Sequence, residues 1–147
     1  MTPHDAISLL FPPGQVVELR IIDDGIGSGY YQDHEKLAAD VQLVEGTKPQ
    51  GIYVTLNEVD PALLSRRSNR FKMRLSKKDA TTADSDIVHR RWFPVDIDPK
   101  RPSGVSSSDE EHQGALTRAE EIKAFLMATH GWPDPIVADS GNGAHLL

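Results

Sequence analysis

The sequence predicts an α+β fold of about one domain. Stretches with apolar residues at helical spacing alternate with short β-rich stretches, and prolines and glycines separate them. The 147 residues are enough to bury one core. With 38% hydrophobic and 26% charged residues, the composition is that of a globular protein and not of a disordered chain.

The first third of the chain has the pattern of a small α/β unit. The sequence predicts a helix from Thr2 to Leu10 and then a strand over residues 16–22. The three glycines in residues 23–29 predict a loop. Helical spacing of apolar residues predicts a second helix over residues 33–44, and a further strand is predicted over residues 51–56.

The middle of the chain is more polar. Asp60 followed by Pro61 is the N-cap and first-turn pair of a helix that we expect to extend to about Arg70. The polar residues 76–86 predict a mobile loop, and residues 91–97 predict a strand that contains one proline.

The last third has the clearest helical pattern. Ser108 and Glu111 have the spacing of a capping box, which predicts a helix that His130 and Gly131 end. One face of this helix is an apolar stripe made of Ala115, Leu116, Ala119, Ile122, Phe125 and Leu126.

A β-hairpin is predicted after this helix. Residues 136–138 are its first strand, and the Asn142–Gly143 pair is a strong hairpin signal. Only residues 144–147 remain for the second strand. Because a hairpin needs a second strand of several residues, we expect the chain to be truncated within its domain.

Charge is distributed unevenly along this acidic chain. The formal net charge of −6 argues against a uniformly basic nucleic-acid-binding surface, yet residues 66–78 contain seven cations and no acidic residue. The cations expected to contact a DNA backbone are Arg66, Arg67, Arg70, Lys72 and Arg74. Phe71 and Met73, which lie among them, could stack on bases. The alternative is that the run is only a solvated helix face.

The sequence contains no cysteine, which excludes disulfides, thiolate metal sites and cysteine nucleophiles. It has no stretch of about 18 apolar residues, and its N-terminus lacks a signal-peptide pattern. We therefore expect a soluble, cytoplasmic protein without a membrane partner.

Asp96 and Asp98 end an apolar stretch that is predicted to be a strand. Because strand side chains alternate, both carboxylates would project from one face, with Cα atoms roughly 6.5–7 Å apart. Such a pair can hold one or two divalent ions for phosphoryl transfer, and Mg²⁺ or Mn²⁺ suits oxygen ligands. The alternative is a pair of solvated residues at a turn that begins before Pro99.

Residues 139–145 (DSGNGAH) form a second candidate constellation. A tight turn with exposed backbone amides, a serine hydroxyl and the imidazole of His145 could hold phosphate oxygens. The phosphate-binding candidates of this turn are Ser140, Gly141, Asn142 and Gly143. Lys100 and Arg101 follow the two aspartates closely enough to reach a triphosphate. The alternatives are an ordinary hairpin turn with an incidental histidine and two solvated loop cations.

Residues 90–111 (RRWFPVDIDPKRPSGVSSSDEE) and 131–147 (GWPDPIVADSGNGAHLL), joined by a capped helix, resemble a known family. They are similar to the primase-polymerase (prim-pol) domains of the archaeo-eukaryotic primase superfamily that phages, plasmids and mobile elements encode. Asp96 and Asp98 match the family's first motif, a hydrophobic strand that ends in Asp-x-Asp. Ser140 and His145 match the second motif, a turn of small residues followed by histidine. The resemblance extends from about Val16 onward.

The resemblance implies a DNA primase or polymerase activity that makes or extends primers from NTPs or dNTPs on a single-stranded DNA template. It implies that Asp96 and Asp98 ligate the catalytic Mg²⁺ or Mn²⁺ ions and that His145 contacts the phosphates of the incoming nucleotide. A replicative helicase domain or protein is a further partner that the resemblance implies.

The resemblance also implies a fold in two parts. An N-terminal α/β unit, about residues 1–88 with the basic segment 66–78, would pack against an incomplete RRM-like module, about residues 89–147. The family's third, acidic motif would follow Leu147, so we expect the catalytic site within this chain to be incomplete. Two other functions are compatible with the same residues: a non-catalytic module that binds nucleotides or single-stranded DNA, and a metal-dependent nuclease or phosphohydrolase.

Overall fold

A computed structural model of the chain describes residues 1–102 and 104–147. Within these residues the protein combines α-helices with several short antiparallel sheets, which confirms the prediction of a mixed α+β fold. The chain divides into two compact units, Met1–Arg91 and Trp92–Leu147, which we call the N-terminal unit and the C-terminal unit. None of the described helices is both long enough and apolar enough to cross a membrane.

The N-terminal unit contains two helices and two sheets. Its elements in chain order are α1 (Pro3–Leu10), β1 (Val17–Asp23), β2 (Gly25–Tyr31), α2 (His34–Glu45), β3 (Gly51–Val54), β4 (Glu58–Val59), β5 (Arg70–Lys72) and β6 (Ile87–His89). Four strands form an antiparallel sheet in the order β3-β1-β2-β5, and β4 pairs with β6 in a second, two-stranded sheet.

One face of the four-stranded sheet builds the core of the N-terminal unit. Val17, Leu19 and Ile21 alternate along β1 with more polar residues, and all three are fully buried. They pack in one cluster with Phe11, which follows α1, and with Leu37 of α2. This alternation is the expected pattern for a strand that has one face on a core.

The opposite face of the same sheet buries charged and polar groups. Glu18 and Ser28 are fully buried, and the Ser28 hydroxyl and the guanidinium of Arg20 both donate to the Glu18 carboxylate. Arg67, which is 7% exposed, donates to Ser28 Oγ at 3.0 Å and to the carbonyl oxygen of Ala80 at 2.8 Å. A buried charge is costly unless it is paired, so these hydrogen bonds are strongly favoured. The bond to Ala80 also joins the segment near residue 80 to the sheet.

Residues 76–86 form an irregular segment with one short 3₁₀ turn, Asp84–Asp86, and no strand or α-helix. The segment is bonded to the buried charges beneath it. The amide of Thr82 donates to Glu18 at 3.2 Å, and its carbonyl oxygen accepts from Arg20 at 3.1 Å.

The prediction of a loop over residues 23–29 was wrong, because most of them form β2. β1 and β2 pair continuously from Val17 opposite Tyr31 to Asp23 opposite Gly25, which confines the turn to Asp24 between the two strands. A Cβ atom on Gly29 would collide with the carbonyl oxygen of Arg70 and lie 2.7 Å from the Cα atom of Phe71. Glycine is therefore required there by the close approach of β5, which the sequence pattern does not distinguish from a turn.

Other element boundaries also differ from the predictions. Asp60 caps a helix as expected, but the helix is a 3₁₀ helix that ends at Arg66, and residue 70 already belongs to β5. The strand predicted over residues 91–97 contains only Val95–Ile97, and β6 was not predicted. Both differences concern short segments, for which local patterns are weak.

The C-terminal unit is one helix on one sheet. Its elements are β7 (Val95–Ile97), α3 (Asp109–His130), β8 (Val137–Asp139) and β9 (Ala144–Leu146). The strands are antiparallel in the order β7-β9-β8, so the last strand in the sequence is the central one. β9 has only three residues, but it pairs along both edges, which a strand at the edge of a sheet cannot do.

α3 begins and ends as the sequence predicts. The Ser108 hydroxyl accepts the amide N–H of Glu111 at 3.2 Å, and the Glu111 carboxylate accepts the amide N–H of Ser108 at 2.8 Å. At its other end Gly131 adopts a left-handed conformation with φ of 64°, which glycine adopts without steric cost.

Only the first half of the apolar stripe on α3 is buried by this sheet. Ala115 and Ala119 pack against Ile97 and Leu146, whereas Phe125 is 55% exposed. The physical reason is length: a 22-residue helix is about 33 Å long, whereas a three-residue strand is about 10 Å long.

The close approach of β5 to β2 can be tested by Gly29→Ala. We expect the free energy of unfolding of the N-terminal unit to fall by about 1–3 kcal/mol, because the added methyl group displaces the β5 backbone. The measurement is urea unfolding followed by the near-ultraviolet signal of tyrosine, since Tyr30, Tyr31 and Tyr53 all lie in this unit.

The matched control is Gly46→Ala in the same unit. Gly46 has a right-handed helical conformation, and a Cβ atom there would meet Leu43 O at 3.4 Å, an ordinary contact. We expect its stability to change by less than about 0.5 kcal/mol. Equal stability of the two variants would contradict the close approach.

Candidate functional site

The sheet of the C-terminal unit has one apolar face and one polar face. Ile97, Ala144 and Leu146 point toward α3 and form the core of the unit. Because side chains alternate along a strand, Asp96 and His145 project from the opposite face. Their side chains are 68% and 45% exposed, so this face presents polar groups to solvent.

Asp96 and His145 are brought together by strand pairing. They are Cα partners in the register between β7 and β9. His145 Nε2 lies 3.1 Å from Asp96 Oδ1, close enough for an ion pair when the imidazole is protonated. Two motifs that are far apart in the sequence therefore meet at one position of the sheet.

Asp98 lies one residue beyond the end of β7, and its side chain is 52% exposed. On one side, Arg101 Nη2 is 3.9 Å from Asp98 Oδ2. On the other side lies Gly143, where a Cβ atom would be 2.8 Å from Asp98 Oδ1 and would collide with the carbonyl oxygen of Ile97. Position 143 therefore has room only for glycine, and the hairpin turn lies directly against the second aspartate.

Residues 140–143 connect β8 to β9, so the predicted hairpin is confirmed. Three of the four amides of this turn donate within the hairpin: Ser140 N to Gly143 O at 3.0 Å, Gly141 N to Asp139 Oδ1 at 2.7 Å, and Gly143 N to Ser140 Oγ at 2.9 Å. Because these amides are already bonded, fewer of them are available to a phosphate than we expected from the glycine-rich sequence of the turn. The Ser140 oxygen accepts a hydrogen bond, which leaves its own hydrogen available for donation to a ligand.

The left-handed residue of the turn is Gly141, with φ of 81°. The Asn142–Gly143 pair does not have the two positive φ angles of a type I′ turn. The sequence signal thus predicted the hairpin correctly, but Gly141 supplies the left-handed conformation and Gly143 supplies the close approach to Asp98.

Side chains from the start of α3 and from the preceding loop hold the turn. The Ser107 amide donates to Asn142 Oδ1 at 3.0 Å, and His112 Nε2 lies 2.8 Å from Asp139 Oδ1. The amide of Gly141, and secondly His112, hold the pKa of the Asp139 carboxyl below its ordinary value.

Asp139 belongs to the predicted constellation of residues 139–145, in which it has no assigned role, and Ser107 and His112 were not predicted to be site residues. The position of Asp139 two residues before Gly141 is a local signal, because aspartate side chains often accept from the amide two residues later. Ser107 and His112 have no such signal, since their partners lie 35 and 27 residues away.

The two predicted cations of the loop after β7 differ in environment. Lys100 is exposed. The Arg101 side chain is 21% exposed and donates to the carbonyl oxygen of Val105 at 2.6 Å, and its buried Nε has no hydrogen-bond partner among the described residues. Arg101 therefore shapes its own loop next to Asp98.

The five predicted DNA-binding cations lie in the N-terminal unit, and four of them have partners within the protein. Arg67 is buried as described above, and Arg66 donates to Tyr30 Oη at 3.3 Å. Lys72 pairs with Asp79 at 2.8 Å, and Arg74 pairs with Asp24 at 3.2 Å. Arg70 is exposed at the edge of the sheet, on β5.

Among residues 1–102 and 104–147, no group of three or more His, Cys, Asp or Glu side chains is arranged to hold a metal ion. Asp96 and Asp98 offer two carboxylates that are separated by one residue, Asp96 within β7 and Asp98 directly after it. Mg²⁺ commonly binds to one or two protein carboxylates and completes its shell with water and phosphate oxygens. Two carboxylates are oxygen donors of the kind that suit an Mg²⁺ or Mn²⁺ ion.

Comparisons of the chain with protein-family models, with curated proteins and with solved structures found no significant match.

The contact between Gly143 and Asp98 can be tested by Gly143→Ala. We expect the free energy of unfolding of the C-terminal unit to fall by about 1–3 kcal/mol, because the methyl group has no space beside β7. Tryptophan fluorescence during urea unfolding reports on this unit, since Trp92 and Trp132 both belong to it.

Gly114→Ala is the control in the same unit. Gly114 lies within α3, and a Cβ atom there would meet nothing within 4 Å. We expect this variant to be more stable by up to about 1 kcal/mol, the ordinary helix preference of alanine over glycine. Finding Gly143→Ala as stable as Gly114→Ala would show that the turn does not touch β7.

The role of Asp139 can be tested by the pH dependence of Asp139→Asn. Because the folded-state pKa of Asp139 is lowered, its contribution to stability is present above the unfolded pKa of about 3.9 and is lost as pH falls through the folded value. We expect the wild type to exceed the variant in unfolding free energy at pH 5.5 and the difference to shrink toward pH 2.5. A difference that is independent of pH would contradict the assignment.

Proposed function

We propose that the C-terminal unit contains part of a nucleotidyltransferase site of the archaeo-eukaryotic primase (prim-pol) type. Such a site makes or extends primers from NTPs or dNTPs on single-stranded DNA. The observation that supports this proposal most strongly is the pairing of β7 with β9. It puts Asp96 of the first motif opposite His145 of the second and Gly143 of the hairpin turn against Asp98.

The order of elements in the C-terminal unit also supports the proposal. The chain runs β7-α3-β8-β9, and β9 lies between β7 and β8 in the sheet. This split β-α-β arrangement is the first half of ferredoxin-like folds, to which the RRM-like module of prim-pol domains is related. We therefore propose that the C-terminal unit has the arrangement with which such a module begins.

Asp96 and Asp98 would hold the Mg²⁺ or Mn²⁺ ions of this site. When bound, such ions neutralise the charge of a triphosphate and activate the attacking hydroxyl group for in-line displacement. Both carboxylates are more than half exposed, so an ion can reach them from solvent. Asp96 would exchange its contact with His145 for a contact with the metal.

His145 and Ser140 would bind the phosphates. In the proposed site the imidazole of His145, once released from Asp96, donates to a phosphate oxygen, and the Ser140 hydroxyl donates a second hydrogen bond. Donors that are aimed at phosphate oxygens stabilise the charge that develops there during phosphoryl transfer. Lys100, which is exposed on the loop after β7, adds positive charge near the carboxylates.

We propose a more restricted DNA contact than the basic segment 66–78 suggests. Arg70 is exposed on the edge strand β5 and is the best candidate for a phosphate contact. Arg67 has a structural role, because its guanidinium is buried beside Ser28. Its replacement would destabilise the N-terminal unit and would not report on DNA binding.

The proposal predicts metal-dependent nucleotide binding that requires the two aspartates. We expect Asp96→Asn and Asp98→Asn each to weaken binding of a fluorescent nucleoside triphosphate in the presence of Mn²⁺ by at least about tenfold, equivalent to about 1.4 kcal/mol. Glu120→Gln, which changes an exposed carboxylate in the middle of α3, is the matched control and should bind like the wild type.

Three outcomes distinguish the proposed function from its rivals. Template-dependent incorporation of labelled nucleotides on single-stranded DNA supports a primase-polymerase. Binding of nucleotide that never leads to incorporation supports a non-catalytic binding module. Cleavage of DNA or of nucleotide without a template requirement, dependent on the same aspartates, supports a nuclease or phosphohydrolase. If the wild type binds no nucleotide with Mn²⁺, the proposal is wrong.

A further inference from the structure

The Asp139 carboxylate connects α3 to the hairpin turn. Its Oδ1 atom lies 2.8 Å from His112 Nε2 and also accepts the amide N–H of Gly141 at 2.7 Å. A carboxylate that is ionised only accepts hydrogen bonds, so Nε2 of His112 must carry a hydrogen in this arrangement. His112 and the left-handed residue of the turn therefore share one acceptor atom.

His112 is well placed to hold this acceptor. It lies in the first turn of α3, just after the capping box that Ser108 and Glu111 form, and its side chain is 26% exposed. The helix is anchored by Ala115 and Ala119, which are buried against the sheet. A donor on a rigid helix fixes the position of its partner more precisely than a donor on a loop does.

The turn that His112 holds has the Ser140 hydroxyl at one end and Gly143 beside Asp98 at the other. Movement of the turn toward β7 is blocked, because Gly143 has no free space there. Movement away from β7 is opposed by the bond from His112 to Asp139 and by the bond from the Ser107 amide to Asn142. These contacts therefore set the distance between the phosphate-binding groups and the second carboxylate.

We propose that His112 is a positioning residue of the nucleotide site, which acts through Asp139 and does not itself touch the nucleotide. The inference rests on the proposed function. His112 is on the α3 side of the sheet, bonded to Asp139, whereas Asp96 and His145 project from the other side. Through Asp139 it holds the turn that carries Gly141 and Ser140.

The first test is nucleotide affinity with a rescue variant. We expect His112→Ala to weaken binding of a fluorescent nucleoside triphosphate in the presence of Mn²⁺ by about tenfold, the lower range for residues that orient a ligating group. His112→Gln should recover most of the affinity, because the Gln side-chain amide can donate in place of Nε2. The Mn²⁺ concentration that half-saturates binding should stay within about twofold of the wild-type value, since Asp96 and Asp98 are unchanged.

The second test is a double-mutant cycle between His112→Ala and Asp139→Ala. If His112 acts through Asp139, the double variant should bind nucleotide about as weakly as Asp139→Ala alone, because removal of the acceptor leaves the His112 donor without effect on the turn. If the fold losses of nucleotide affinity in the two single variants multiply in the double variant, His112 contacts the nucleotide independently. That result would overturn the inference. So would wild-type affinity in a folded His112→Ala variant.

Folding and the proposed function are controlled separately. Tryptophan fluorescence during urea unfolding shows whether each variant is folded, and if His112→Ala is not, Asp139→Ala and His112→Gln provide the same comparison. For those variants, a loss with Asp139→Ala and recovery with His112→Gln supports the inference, and wild-type affinity in Asp139→Ala overturns it. Absence of metal-dependent nucleotide binding by the wild type would instead refute the proposed function.

Discussion

The pairing of β7 with β9 is the interaction on which the candidate site depends. β9 is the last strand in the sequence and the central strand of its sheet, so it makes backbone hydrogen bonds along both edges. The register of this pairing decides that Asp96 faces His145. A slip by one residue would turn His145 toward α3 and Leu146 toward solvent, so the burial of Leu146 against α3 maintains the register of the site.

The two units differ in the sheet face that lies opposite the apolar face packed against their helices. In the N-terminal unit this face buries Glu18 and Arg67, which bond to Ser28 and to the segment around residue 80. The Nε atoms of Arg20 and Arg67 are buried without a hydrogen-bond partner in the part of the chain that the structure describes, but the other bonds of this network join the sheet to that segment. In the C-terminal unit the corresponding face leaves Asp96 more than half exposed. The buried charges of Glu18 and Arg67 hold the fold together, whereas the exposed carboxylate of Asp96 is accessible to a ligand.

Glycine has different roles in the two parts of the chain. Gly29 permits the close approach of β5, and Gly143 permits that of β7, whereas Gly141 supplies a left-handed conformation at the hairpin turn. The same residue type thus serves a strand in one place and a turn in another. Glycines in both segments were interpreted as turn residues. That interpretation was correct for residues 140–143 and wrong for residues 23–29.

Local chemistry in the sequence determined the start and end of α3, the alternation of β1 and the presence of a hairpin near Asn142, because caps, periodicity and turn residues act over a few positions. It also identified Asp96 and His145 as candidates. Only the tertiary structure decided that these two residues face each other, that Arg67 is buried, and that His112 holds Asp139. Each of these facts joins residues that are distant in the chain, and no local pattern encodes such a contact.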